Sequence, residues 1–319
     1  MHASVRALLN QVIDYAGLFP PAKLPLDAAL ANYLHYRRES PHAWTLGRFV
    51  CPAARLPELL TLAQGHPDAS LLSLTVLGQQ GFSEPDYFEK LKADIEAVKT
   101  FRSAWGNDAV IDMIETPLPN AAFDLHVVAE RLSAAGLRGF VEVHMSPSWR
   151  EDIARITSGH DLAQASHLGF KLRCGGVTAD AFPGDDQVAW FIDYCTRARL
   201  AWKATAGLHH PRRHWDANLQ IWHHGFLNVF VAGLLARINP MAADDIAHVL
   251  ADREGEHFQW RENSIAWKDW SITTQQILEL RSTAATSFGS CSFTEPVDDL
   301  LAMGLLDGPH ALFANLELL

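Results

Sequence analysis

Three charged residues recur at similar positions of three apolar segments. Glu142 lies in GFVEVHM, Lys171 in GFKLRCGG and Lys203 in LAWKATAGLH, and they are separated by 29 and 32 residues. One strand-helix-strand unit of a parallel sheet occupies about 30 residues. The spacing therefore predicts that these residues lie at corresponding points of successive parallel strands. Amines and a carboxylate brought together in this way could perform nucleophilic and proton-transfer chemistry.

The alternation of side chains along each segment predicts which of them face the interior. In a parallel sheet covered by helices the outer face is apolar, so the charged face must point inward. A half-exposed antiparallel strand would show the same alternation, but the helical stretches between these segments favour parallel pairing. The residues predicted to point inward are Glu142, His144, Lys171, Arg173, Lys203, Thr205 and His209. Glu115 or Asp112 of the preceding segment AVIDMIET could join them, and parity leaves both open.

Buried charges predict a functional pocket with an anionic ligand. Leaving such groups unpaired would cost several kcal/mol for each charge, and function is the usual reason to retain them. Arg173 stands beside a Gly-Gly step, and HHPRRHW after the Lys203 segment adds basic residues. We therefore expect a small carboxylate or phosphate substrate. The predicted substrate-binding residues are Arg173, Gly175, Gly176, Thr205, His209 and His210.

The order of the segments predicts a parallel (βα)8 barrel in one domain. Six strand-like segments, from LGRFVCPA to LAWKATAGLH, alternate with helical stretches, and ATSFGSCSF is a candidate for the eighth. The seventh is unclear, with HFQWRENSIAWKDWSI as the nearest candidate. A doubly wound open sheet is the alternative. We predict a helical lead-in over 1–43, the barrel over 44–295 and a helical tail over 296–319.

Composition limits the cellular setting and the partners. The net charge of −11 argues against nucleic acid and anionic membranes as partners. Four scattered cysteines and the absence of a signal-peptide pattern at the amino terminus favour a reducing, cytoplasmic location. Cys291 lies near a predicted strand end, but the sequence shows no base beside it. Homo-oligomerisation is compatible with the sequence and is not specified by it.

Several blocks carry resemblances to known proteins. DYAGLFPPA, FKLRCGG, WKATAGLHHP, HGFLN and SFGSCSFTEPVDDL resemble an uncharacterised family of bacterial barrel-like proteins over nearly the whole chain. KLRCGGV and KATAG are similar to the two lysine motifs of class I deoxyribose-phosphate aldolases, although their order along the chain is reversed. The second resemblance implies a Schiff base at Lys203, with Lys171 as its electrostatic neighbour and Glu142 as the acid that moves protons.

Three functions follow from these residues. The leading hypothesis is a carbon–carbon lyase that acts through an imine on Lys203 without a cofactor, because two neighbouring ammonium groups disfavour each other's charge. The alternative is a hydrolase or isomerase dependent on a divalent metal ion, held by Glu142, His144 and His209, with Glu115 as a further ligand. A non-catalytic anion-binding protein is the third.

Overall fold

The computed structural model describes residues 1–117, 125–142, 148–157 and 167–308. In chain order, its strands are β1 (Ile13–Tyr15), β2 (Leu46–Pro52), β3 (Leu74–Leu77), β4 (Ile111–Pro117), β5 (Arg138–Glu142), β6 (Leu168–Arg173), β7 (Ala201–Thr205), β8 (His214–Asp216), β9 (Ile221–His223), β10 (Phe258–Arg261), β11 (Ser264–Trp267), β12 (Trp270–Thr273) and β13 (Ala285–Ser290). The α-helices are α1 (Ala3–Leu9), α2 (Leu26–Glu39), α3 (Leu56–Gln64), α4 (Glu84–Trp105), α5 (Leu125–Ala134), α6 (Trp149–Thr157), α7 (Asp185–Arg197), α8 (Phe226–Ile238), α9 (Ala243–Ala251), α10 (Thr274–Thr283) and α11 (Thr294–Ala302).

Eight strands close into a barrel in the order β1, β13, β7, β6, β5, β4, β3, β2. Every neighbouring pair is parallel. With helices between the strands, this is the TIM-barrel α/β fold, as predicted. The open doubly wound sheet is therefore wrong as an alternative. Closure is made by β13, which pairs with β1 on one side and with β7 on the other.

The strand that sequence reasoning missed is at the amino terminus. Strand β1 (Ile13–Tyr15) lies inside the segment predicted as a helical lead-in, so the barrel begins well before residue 44. Only three residues long, it shows no recognisable apolar run. The segment named as the nearest candidate for the unclear seventh strand is not part of the barrel, because it forms the antiparallel sheet of β10, β11 and β12. The eighth candidate is confirmed as β13. Of the predicted tail, 309–319 lies outside the described residues.

Apolar side chains pack helix α8 against the outside of the barrel. Phe288 of β13 stacks on Phe226 of α8 at 4.8 Å, and Trp202 of β7 lies 5.4 Å from Phe230 of the same helix. This explains why α8 is almost entirely buried.

Among the described residues, no helix combines the length and apolar character required to cross a membrane.

An apolar layer inside the barrel supports the polar layer above it. Met113, Phe140 and Ala201 form a separate buried cluster. Each lies two residues before an inward-facing charged residue of its strand, and side chains two residues apart share one face. The charged groups therefore rest on an apolar floor at the carboxyl-end half of the barrel.

Close packing of α8 against β7 gives a test of the fold. A Cβ atom on Gly233 would lie 2.4 Å from Cζ2 of Trp202. Gly→Ala inside a helix ordinarily stabilises by about 1 kcal/mol, whereas overpacking a core costs about 1–3 kcal/mol. Because the contact leaves no room, we expect Gly233→Ala to lower the free energy of unfolding measured in urea. Gly65→Ala is the control, since a Cβ on Gly65 would meet nothing within 4 Å. Equal stability of both variants would contradict this packing.

Candidate functional site

Six side chains of alternating charge form a continuous series of ion pairs in the upper barrel, called here the ion-pair chain. In order, its members are Asp14, Lys203, Glu115, Lys171, Glu142 and Arg173. The Lys203 Nζ atom lies 2.7 Å from Asp14 Oδ2 and also contacts Glu115. The Lys171 Nζ atom lies 2.9 Å from Glu115 Oε2 and 2.8 Å from Glu142 Oε2. The Arg173 Nε atom donates to Glu142 Oε1 at 2.8 Å. Formal charges along the chain sum to zero.

Strand register explains how these residues meet. Glu142 of β5 is opposite Lys171 of β6, and Lys171 is opposite Lys203 of β7. In adjacent strands, opposite residues point to the same face, so the three side chains lie next to one another. The predicted adjacency of these strands and the inward direction of these side chains are confirmed. Of the two acids left open by parity, Glu115 points into this layer, whereas Asp112 pairs with Arg48 and is half exposed.

Exposure rises steadily along the ion-pair chain. The side chains of Asp14, Lys203, Glu115 and Lys171 are 0, 1, 3 and 5% exposed. Glu142 is 16% exposed and Arg173 is 47% exposed. The chain therefore runs from a sealed inner end to an outer end in contact with solvent. A small molecule that approaches along this chain meets Arg173 first and then Glu142.

The inner end is held rigidly by additional hydrogen bonds. Asp14 Oδ2 accepts from the Ser287 hydroxyl at 2.6 Å, and Asp14 Oδ1 accepts from the Arg48 backbone amide at 2.8 Å. The Thr75 hydroxyl donates to Glu115 at 3.4 Å. Sequence reasoning missed Asp14 because its strand was not recognised. The available signal was the block DYAGLFPPA, which begins with this residue.

Ion pairing outweighs burial in this layer. Burial opposes ionisation of Glu115, but Lys171 and Lys203 together lower the pKa of Glu115 to about 2. Burial also opposes the charged form of Lys171, yet Glu115 and Glu142 raise the pKa of Lys171 above its usual value. The pKa of Glu142 is held below its usual value by Lys171 and Arg173 against the effect of burial. The acids are thus carboxylates and Lys171 is an ammonium at neutral pH.

This arrangement corrects one premise of the sequence analysis. Direct repulsion between the two ammonium groups was expected to activate Lys203, with Lys171 as the neighbour that lowers its pKa. Glu115 instead lies between the two lysines and contacts both. A carboxylate in that position screens each ammonium from the other. Activation of either amine must therefore come from proton transfer to a carboxylate.

The predicted histidines belong to a second group at the same end of the barrel. His209 Nδ1 lies 2.7 Å from Glu295 Oε2, and His210 Nδ1 lies 2.6 Å from Asp299 Oδ2. Both acids are on α11, which follows β13, and neither histidine contacts the ion-pair chain through a described hydrogen bond. Their roles as substrate-binding residues stay predictions, and His144 lies outside the described residues.

The remaining predicted residues border Arg173. Thr205 is opposite Arg173 in the pairing of β6 with β7. Gly175 packs so closely that a Cβ would lie 2.8 Å from the Gly207 Cα atom, and Gly207 has a φ of +69°. Two glycines at this contact let the loops after β6 and β7 approach each other. Gly176 is exposed, and anion binding by this Gly-Gly step stays a prediction.

The donors named for the metal alternative are dispersed. Glu115 and Glu142 are occupied by lysines, while His209 lies with Glu295 in the second group. Within the described ranges, no three His, Cys, Asp or Glu residues are arranged to hold a metal ion. The described residues therefore offer no support for the predicted ligand set.

Comparison with known proteins gives distant structural matches. No protein-family model matches the sequence, and neither does any curated protein. The fold is similar to a crystal structure of a proposed deoxyribose-phosphate aldolase from Toxoplasma gondii ME49, with 12% identity, 74% of this chain and 68% of that chain covered, and a TM-score of 0.34. A structure described as the apo form of a proposed deoxyribose-phosphate aldolase from the same organism gives 11% identity, coverage of 96% and 98%, and a TM-score of 0.38. Similarity at this level bears on neither reaction nor substrate.

The pKa of Glu115 predicts how the ion-pair chain affects stability. Because this pKa is lower in the folded protein than in the unfolded chain, the stabilisation is complete above pH 4.5 and is lost as the pH falls toward 2. We expect Glu115→Gln to lower the free energy of unfolding at pH 7 by about 3–5 kcal/mol, since it leaves buried ammonium groups underpaired. Between pH 5 and pH 3, the variant should also lose less stability than the wild type.

Urea unfolding at a series of pH values measures both effects. Glu58→Gln is the control, because Glu58 pairs with Arg55 at the surface and is 54% exposed. That pair should contribute less than about 1 kcal/mol. The same pH dependence for Glu115→Gln and the wild type would show that Glu115 does not stabilise the fold through its charge.

Proposed function

We propose that the protein is a carbon–carbon lyase that binds a small anionic carbonyl compound as an imine. The observation that carries this proposal is the ion-pair chain. In it, Lys171 pairs with Glu142, and Glu142 pairs in turn with Arg173, which is exposed to solvent. Imine chemistry requires an amine nucleophile and a group that carries protons to and from it. Lys171 and Glu142, 2.8 Å apart, satisfy both requirements.

The two lysines differ in their access to a substrate. Lys203 was the nucleophile favoured by sequence, but its side chain is 1% exposed and has Asp14 and Glu115 as partners. Lys171 is 5% exposed and shares Glu142 with the solvent-exposed Arg173. We therefore assign the imine to Lys171. In this proposal Lys203 keeps Glu115 ionised from the sealed side.

Substrate binding supplies the activation that repulsion does not. An anionic group bound at Arg173 would compete with Glu142 for the guanidinium. Glu142 would then lose one of the two cations that hold its pKa low, so its affinity for a proton would rise. The proton donor next to it is the Lys171 ammonium. Proton transfer would leave a neutral amine beside the substrate carbonyl and a protonated Glu142.

The reaction then balances through Glu142 alone. The Lys171 amine attacks the carbonyl carbon, and Glu142 protonates the oxygen as the carbonyl π bond opens. Glu142 takes a proton from nitrogen and returns it to the hydroxyl group, so that water leaves and a protonated imine remains. Glu142, again a carboxylate, removes the proton from a β-hydroxyl group. The hydroxyl oxygen forms the carbonyl group of the aldehyde or ketone that leaves, the carbon–carbon bond breaks, and its electron pair passes into the imine to give an enamine. Glu142 then protonates the enamine carbon, and water adds to the resulting imine to release the second carbonyl product and free Lys171.

Reductive trapping tests the imine directly. Protein incubated with pyruvate or glycolaldehyde phosphate and then reduced with cyanoborohydride should carry a covalent adduct on Lys171, located by peptide mass spectrometry. Lys171→Arg retains the cation but cannot form the imine, so we expect it to abolish this adduct. Lys203→Arg is the matched control, and we expect the adduct on Lys171 to persist.

The possible outcomes separate the assignments. An adduct on Lys203 that survives Lys171→Arg would support imine chemistry and overturn the choice of lysine. Labelling no greater than that of the exposed Lys268, across a wider panel of anionic carbonyl compounds, would argue against the lyase. Binding of these anions without any adduct would favour the non-catalytic alternative. Urea unfolding of each variant establishes that it is folded.

Arg173 gives an independent test of anion recognition. Lysine retains the charge but cannot reproduce the planar two-pronged contact of a guanidinium with a carboxylate or phosphate. We expect Arg173→Lys to weaken binding of the trapped compound by about tenfold or more, equivalent to about 1.4 kcal/mol. Calorimetric titration measures this change, with Arg55→Lys at a surface ion pair as the control. Unchanged affinity would remove Arg173 from the site.

A further inference from the structure

A thiol, an imidazole and a carboxylate lie close together at the same end of the barrel as the ion-pair chain, without belonging to it. Cys291 immediately follows β13, His209 lies in the loop after β7, and Glu295 is in the first turn of α11. Cys291 Sγ is 3.8 Å from His209 Nε2, and His209 Nδ1 is 2.7 Å from Glu295 Oε2. Cys291 Sγ also lies 4.0 Å from His209 Nδ1, so the thiol is close to both ring nitrogens while the carboxylate contacts Nδ1.

Cys291 differs from the other three cysteines in its surroundings. Cys51, Cys174 and Cys195 are 0–1% exposed, and burial raises the pKa of each thiol, that of Cys51 to about 12. Such thiols are inert. Cys291 is 9% exposed. Among the described residues, it is also the cysteine hydrogen-bonded to an imidazole.

We propose that Cys291, His209 and Glu295 form a nucleophilic thiolate site that adds to α,β-unsaturated carbonyl compounds. A positively charged neighbour favours the thiolate, which is the reactive form of cysteine. Glu295 orients the ring and balances the charge of the imidazolium. The hydrogen bonds of His209 with Cys291 and with Glu295 raise the pKa of the imidazole to about 10, which favours its protonated form.

The class of electrophile follows from what the site contains. In conjugate addition the thiolate attacks the β carbon and a sulfur–carbon bond forms. The electrons of the carbon–carbon double bond move to give an enolate, whose α carbon takes the proton of the His209 imidazolium. The product is a thioether and a neutral imidazole. Thiolate and imidazolium are thus both consumed, and neither an oxidant nor a leaving group is needed.

Space for a small organic molecule adjoins this site. A cavity of about 360 Å³ is lined by His210, Asp299 and Met303 among other residues. Asp299 is one turn after Glu295 on α11, and His210 Nε2 lies 3.9 Å from Glu295 Oε1. This cavity is at the surface of the barrel end. The cavity therefore lies next to Glu295, the acid of the proposed site, and this site is independent of the lysine chemistry proposed above.

Labelling with N-ethylmaleimide, an α,β-unsaturated imide, tests the site in the folded protein. Limited labelling between pH 5.5 and pH 9, followed by peptide mass spectrometry, gives the rate at each cysteine. An unassisted thiol, with a pKa near 8.5, reacts about tenfold more slowly for each unit of pH below that value. We expect Cys291 to react at least tenfold faster than the other three, with a rate that changes little between pH 6 and pH 8.

Variants of the partners make the test specific. His209→Gln should lower the rate at Cys291 by at least tenfold at pH 6 and restore the ordinary pH dependence. Glu295→Gln should give a smaller loss in the same direction. His257→Gln is the matched control, because His257 also pairs with a carboxylate, that of Asp252 at 2.7 Å, and should leave the rate unchanged.

Two results would overturn the proposal. One is a labelling rate of Cys291 in the wild type that shows the steep pH dependence of an ordinary thiol or is no faster than the rates of the other cysteines. The other is a rate profile in folded His209→Gln that matches the wild type. Urea unfolding of each variant verifies its fold, and labelling in denaturant shows that all four cysteines are detectable.

Discussion

Glu115 accepts hydrogen bonds from two buried ammonium groups, and the polar layer of the barrel depends on this shared carboxylate. Each lysine would otherwise face the other across the pairing of β6 with β7 in a medium of low polarity, where repulsion is strong. With Glu115 between them, both charges are compensated. Each lysine also has a second acidic partner, which is Asp14 for Lys203 and Glu142 for Lys171. The formal charges of the layer therefore cancel.

The apolar floor below this layer has a complementary role. Met113 Sδ lies 3.9 Å from the Lys203 ammonium, and the Phe140 ring lies within 5.9 Å of it. These groups exclude water from beneath the charged residues, so the ion pairs are screened only from the outer end. A gradient of polarity along the barrel axis results, and it gives Arg173 and Glu142 an environment different from that of Asp14.

Periodicity allowed much of this arrangement to be predicted. Strand parity and a spacing of about thirty residues were sufficient to predict that Glu142, Lys171 and Lys203 lie side by side inside the barrel. Both signals can be read directly from the sequence, and the strands that carry them are five residues long or more. The same reasoning failed for Asp14, whose strand has three residues. It also failed for β10, β11 and β12, whose residues have the apolar and aromatic character of barrel strands but pair in an antiparallel sheet. Glu295 contacts His209 although 86 residues separate them, and a contact between such distant residues cannot be recognised from a local sequence pattern.

The short strand β1 has a consequence for synthesis of the chain. It is synthesised long before one of its neighbours, β13, and the register joins Asp14 to Gly289. Lys203, likewise, lacks its Asp14 partner until segments 189 residues apart have met. Contacts of such sequence separation form slowly because a long loop must be closed first. The barrel of the nascent chain therefore stays open, with the edges of β1 and β7 unpaired, until β13 has been translated.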